Sequence, residues 1–177
     1  FQQALTPLIY RHYREGQTPL QIAAIFRNFC GLASLAILFL GLFSLDILHL
    51  FTPPQFYGAA GIVHILAAAL VFSQMYIFAP GIDIAKKTWL LVLINFSGGC
   101  INAALIYLLI PGWGLAGAAT GKLLTYLGVF TLTMLISQRL YRVPHRWPRL
   151  VGTGLALLLL LLANRALPGH LGWLQLT

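Results

Sequence analysis

The sequence predicts an all-α, polytopic transmembrane helix bundle with about five spanning helices, and three observations predict it. First, the 177 residues are 59% hydrophobic and only 8% charged, whereas soluble domains carry roughly 25% charged residues. So little charge leaves too few groups to cover a water-facing surface, and mean hydropathy is +0.86. Second, several apolar stretches approach the roughly 20 residues that a helix needs to cross a bilayer. Third, the basic residues stand in short clusters between those stretches, as membrane-flanking loops do. The formal charge of +8 would suit nucleic acid only if it formed one exposed patch, and this spacing argues against that.

The whole chain, 1–177, reads as one membrane domain. The first segment covers about 22–51, with Arg27 and Asn28 near its start and Asp46 near its end. The second, 58–79, stops at Pro80-Gly81, a breaker pair. The third, 89–110, ends at Pro111-Gly112, and the fourth, 114–136, follows at once. A fifth, 150–167, contains the unbroken apolar run 155–161 and spans if Arg165 snorkels outward. Residues 1–10 read as the end of a preceding helix, and the Phe start without a signal peptide predicts a fragment of a longer protein.

Loop charge tests this arrangement independently. Five alternating helices put Arg11, Arg14, Arg27, Lys86, Lys87, Arg139, Arg142, Arg146 and Arg149 on one side. The opposite loops, 52–57 and 111–114, hold no Lys or Arg. The positive-inside rule makes the basic side cytoplasmic, and a miscount by one helix would destroy the segregation.

No catalytic constellation emerges, so an enzyme is not expected. The three acids are Glu15, Asp46 and Asp83, and the topology separates Asp46 from the other two by a membrane. The five histidines are dispersed, with none paired at helical metal spacing. Cys30 and Cys100 lack partners at metal spacing and read as small packing residues. The Asn95-Phe96-Ser97 glycosylation triplet falls inside an apolar run and should be inert. No metal and no cofactor is expected.

Polar residues within apolar helices are costly and tend to face a bundle interior or an aqueous cavity. Lys122, eight residues into the fourth segment, lies about 12 Å along it. It is either a cavity cation or a snorkelling, internally paired lysine. Asn95, Gly98, Gly99 and Asn102 share a helix face. Close packing glued by amide hydrogen bonds and hydration of a substrate cavity are both open readings. Gly114, Gly117 and Gly121, continued by Thr125 and Gly128, read as a packing seam. His64 is a buried, hydrogen-bonded histidine or a proton-coupling site, and Arg27 an interface anchor or a gate. Asp83, Lys86 and Lys87 form a loop ion cluster or part of a gate.

Several motifs carry a family resemblance. The run Phe51-Thr52-Pro53-Pro54-Gln55-Phe56-Tyr57 before Ala59-Ala60 resembles a link in polysaccharide biosynthesis membrane proteins, the O-antigen-type flippases of the multidrug/oligosaccharidyl-lipid/polysaccharide exporter superfamily. The loop 81–87 is similar to their "gk.k" loop. Asn95, Asn102, Leu109-Ile110-Pro111 and Gly117-Ala118-Ala119-Thr120 follow their next helix pair in order, and 141–147 their "yp.pyr" loop. The resemblance covers about residues 1–150. It implies the C-terminal bundle of a two-bundle exporter in the bacterial inner membrane, flipping a lipid-linked oligosaccharide, such as a lipopolysaccharide precursor, by alternating access. It also implies candidate partners: a coupling proton or sodium ion, a polysaccharide polymerase and assembly proteins. It gives Lys122 and Arg27 roles toward pyrophosphate or acidic sugars, although the family pattern has a small or apolar residue where Lys122 stands. A drug or peptidoglycan-lipid-precursor exporter, or a non-transporting assembly subunit, is the alternative.

Overall fold

The computed structural model describes residues 18–141, Val143, and the helical positions Gly152, Gly154 and Leu159. The expected helix end at 1–10 and most of the expected helix 150–167 lie outside the described residues. What is described is helical, with no strand.

Helix α1, Thr18–Leu42, begins with Pro19 in its first turn, where a missing N–H costs nothing. Phe43 leaves helical geometry (φ −101°, ψ 16°), and α2, Ser44–Phe51, continues beyond it. The expected single helix 22–51 is thus two helices. Thr52 stops α2 in extended conformation, as a residue before proline prefers. Its N–H and its Oγ1 both donate to the Leu48 carbonyl, at 2.8 and 2.7 Å.

The expected second helix, 58–79, is also composite. A 3₁₀ turn, Pro54–Ala59, leads into α3, Ala60–Gln74. A second 3₁₀ turn, Met75–Phe78, and the single-turn α4, Gly81–Ile84, then close it. Lys86 follows with φ 55°, a left-handed position more often filled by glycine. The Lys86 and Lys87 N–H groups donate back to the carbonyls of Asp83 and Ile82, at 2.9 and 3.0 Å. That pair of bonds is the Schellman pattern. Backbone bonds therefore order this loop.

The remaining run, α5, Trp89–Leu140, is helical throughout except at Gly114 (φ 54°, ψ −132°). A straight helix of 52 residues would be about 78 Å long. Instead the chain doubles back at Gly114. A Cβ on Gly117 would meet the Leu109 carbonyl, one on Gly121 would touch Leu105, and one on Gly98 would meet Val129. These pairs run antiparallel about the turn, so α5 is a hairpin of two arms, 89–113 and 115–140. The expected stop at Pro111-Gly112 is displaced, because Pro111 is accommodated inside the first arm. Only glycine readily adopts the geometry of the reversal itself.

Among the described residues three helical runs, rather than five, are long and apolar enough to cross a membrane: Pro19–Leu42, Pro54–Ile84 and Trp89–Leu140. The count falls because two expected spans are joined in one run and the fifth is outside the described residues.

The core sits at one end of the bundle. Ile22 and Phe26 of α1 pack with Met75, Ile77, Phe78, Ala79, Phe130, Met134 and Val143. Phe26 lies 4.9 Å from Phe78 and 6.4 Å from Phe130, centroid to centroid. Here the Gly81 N–H donates to Ser137 Oγ, buried, at 2.8 Å. Gln138 clamps Val143 through both backbone groups, at 3.0 and 3.1 Å. Arg27, Lys86, Lys87 and Arg139 all fall at this end, which the Phe26–Phe78 and Gly81–Ser137 contacts bring together. Elsewhere the surface is apolar: Leu32, Leu35, Phe96, Tyr107, Leu108, Trp113 and Leu115 are all exposed.

Candidate functional site

A cavity of about 310 Å³ opens between α3 and the two arms of α5. Phe72, Ser73 and Tyr76 line it from α3 and the turn after it. Leu91 and Asn95 contribute from the first arm, and Tyr126, Val129, Phe130 and Thr133 from the second. Phe72 and Phe130 stack at 5.9 Å and join this wall to the aromatic core.

The second arm contributes because its polar residues recur at helical spacing. Lys122, Tyr126, Thr133 and Ser137 are separated by four, seven and four residues, which keeps them on one face. Lys122 is half-buried, and its Nζ lies 6.0 Å from the centroid of the Tyr126 ring, at the outer limit of a cation–π contact. The lysine thus stands beside a wall of the cavity.

The expected third-helix stripe divides. Asn95 lines the cavity, with its Nδ2 donating to the Leu91 carbonyl at 2.7 Å. Its amide oxygen keeps acceptor capacity. Gly98 and Asn102 turn instead to the hairpin interface. Thr125 Oγ1 lies 3.4 Å from Asn102 Oδ1 and 2.9 Å from the Gly121 carbonyl. A hydroxyl has one proton, so the shorter bond takes it and the Asn102 contact is the weaker. Gly99 and Gly128 face open space, so neither belongs to a close-packed seam, whereas Gly117 and Gly121 do.

The other expected residues stand apart from the cavity. His64 is half-buried in the first turns of α3, and Arg27 is exposed beside the aromatic core. Asp83, Lys86 and Lys87 belong to the α4–α5 link, Asp83 half-buried and both lysines exposed. Sequence reasoning missed Tyr126, Thr133, Ser73 and Tyr76, although the Lys122–Ser137 spacing was a signal for the first two. Among the described residues no three His, Cys, Asp or Glu side chains gather as a metal site.

Chemically, the cavity offers aromatic faces, hydroxyls and one amide, with a cation alongside and no acid in its wall. The Ser73 and Thr133 hydroxyls donate to the Leu70 and Val129 carbonyls, at 2.7 and 2.8 Å, so toward the cavity they act as acceptors, and Lys122 is the positive group beside it. The chain matches no known family model, no curated protein and no solved structure. The functional reading therefore rests on residues and geometry.

Proposed function

We propose that the chain is part of a membrane transporter that flips a lipid-linked oligosaccharide across a bacterial inner membrane by alternating access. The observation that carries this reading is a cavity with Ser73, Asn95 and Thr133 in a largely apolar wall, set among apolar helices with Lys122 alongside. Polar groups inside membrane helices tend to mark substrate pathways. A volume of about 310 Å³ is at the small end for ligand pockets. It fits one sugar ring or a pyrophosphate, so the rest of the substrate would lie against a facing bundle.

The gathering of Arg27, Lys86, Lys87 and Arg139 at one end supports a cytoplasmic placement of that end. Trp89 and Trp113, both exposed at opposite ends of the first α5 arm, are about 36 Å apart along the helix. That separation suits the two interfacial belts where tryptophan is enriched. The paired arms of α5 would then each cross once.

The hairpin contacts of Gly98, Gly117 and Gly121 favour a second reading, in which the small and polar residues serve only helix packing in an assembly subunit. Substrate flux decides between them. In vesicles loaded with a fluorescent lipid-linked oligosaccharide, Lys122→Ala should lower flipping at least tenfold and Lys122→Arg should retain it. Equal flux in all three proteins would remove the lysine from any substrate role.

A further inference from the structure

We infer that the corner formed by α2 and the 3₁₀ turn after it, residues 44–59, lies in the lipid headgroup–acyl boundary opposite the basic end, as an interfacial element and not as the tip of a span. The inference rests on the membrane reading and goes beyond it.

Length gives the first argument. From Arg27, which stands at the basic end, to the exposed Asp46 the helical path is about 28 Å, close to a hydrocarbon core of about 30 Å. The helix breaks at Phe43, just short of that distance, so Asp46 in α2 stands at the far edge of the core.

Exposure gives the second. Ser44, Ile47 and Leu48 are buried or half-buried against the bundle, while Asp46 and His49 are exposed on the opposite side of the same two turns. An aspartate facing hydrocarbon is strongly disfavoured, so α2 does not lie in the bilayer core. Yet Leu50 is 76% exposed, Phe51 75% and Phe56 50%, a patch of large apolar side chains that water disfavours. Asp46 and Leu50, four residues apart, share one flank of α2, so a carboxylate and a leucine stand side by side, which suits the boundary where water meets acyl chains.

The corner is also rigid enough to hold that orientation. Thr52 is bonded twice to the Leu48 carbonyl, the Phe56 N–H donates to Pro53 at 3.0 Å, and the His49 ring lies 4.2 Å from the Tyr57 ring. Pro53 and Pro54 fix the backbone between them.

Site-directed spin labelling tests this on the full chain. With Cys30 and Cys100 replaced by Ala, single cysteines are introduced as Leu35→Cys, Asp46→Cys, Phe51→Cys and Phe56→Cys, with Leu50→Cys as a second probe of the patch. Each protein is labelled with a nitroxide and reconstituted in phosphatidylethanolamine–phosphatidylglycerol vesicles. Collisions with oxygen and with a water-soluble nickel chelate then report depth. The expected result is a deep label at Leu35, labels at positions 50, 51 and 56 at the headgroup–acyl boundary, and a nickel-accessible label at Asp46. Labels at 50, 51 and 56 as nickel-accessible as that at Asp46 would put the corner in water and overturn the inference. Labels there as deep as at Leu35 would make α2 part of the span. Shielding from both reagents would mean that another protein surface covers the patch, which also overturns it. A Leu35 label without a deep signature would defeat the membrane reading itself, a failure distinct from the others.

Discussion

At Gly81 the absence of a side chain and the presence of an N–H are both used. A Cβ there would run into the Ser137 carbonyl and come within 2.7 Å of its Oγ, while the Gly81 N–H is satisfied by that same Oγ. Ser137→Ala leaves a buried donor without an acceptor, which costs about 1–3 kcal/mol. Gly81→Ala forces the α4 turn off the helix, at a similar cost of about 1–3 kcal/mol. Both should lower the thermal midpoint of the detergent-solubilised protein. Lys86, which holds a left-handed φ of 55°, predicts the reverse sign. Lys86→Gly relieves the Cβ conflict, and the same assay should show no loss and a gain of up to about 1 kcal/mol. Lys122, a half-buried residue with its Nζ 6.0 Å from the Tyr126 centroid, belongs instead to the proposed transport role. The informative readout there is flux, with the arginine variant as the control.

At the level of elements, the α5 hairpin depends on a few glycines, and the structure separates glycines that the sequence presented alike. Gly117 faces the Leu109 carbonyl across the turn, whereas Gly99 and Gly128 have nothing within 4 Å. Gly117→Ala should therefore cost about 1–3 kcal/mol by pushing the arms apart. Gly99→Ala and Gly128→Ala should be neutral or gain up to about 1 kcal/mol from helix propensity. Equal losses at all three positions would show that Gly99 and Gly128 are covered by a surface beyond this chain. The apolar runs and the positions of both α5 arms were legible in the sequence, because length and hydropathy are carried by every residue in a run. The break at Phe43 was missed although Gly41 stands two residues before it and Ser44 directly after, a Gly/Ser pairing that kinks helices but is easily overlooked in a long apolar run. The 3₁₀ turn at 75–78 was hidden because Met75-Tyr76-Ile77-Phe78 differs little from a helix end, whereas the turn at 54–59, with Pro54 and Gly58, lies largely in the expected loop 52–57. Pro111 misled because proline signals a stop, yet near a helix end it removes one hydrogen bond and the helix can absorb the loss. Within the site, Asn95 and Lys122 stood out as polar residues in apolar surroundings. Tyr126 and Thr133, common enough in membrane helices, acquired meaning only when the hairpin and α3 enclosed a space between them.

For the whole molecule, the leucines and aromatics on the outside would be an aggregation liability in water and are at home in hydrocarbon. Exposed Leu32, Leu35 and Leu108 predict that the protein stays with membranes through alkaline carbonate extraction and leaves them only with detergent. Release by carbonate alone would contradict the bilayer placement. The distribution of polar links has a mechanical consequence. Among the described residues, the bond from Gly81 to Ser137 and the Gln138 clamp on Val143 lie at the basic end. The far end is held by the chain itself, through the turn at Gly114 and the bonded corner 44–59, and Asn102's long approach to Thr125 lies midway along the hairpin. A body tied at both ends resists splaying at either. Any give in it lies between them, along the middle of the hairpin.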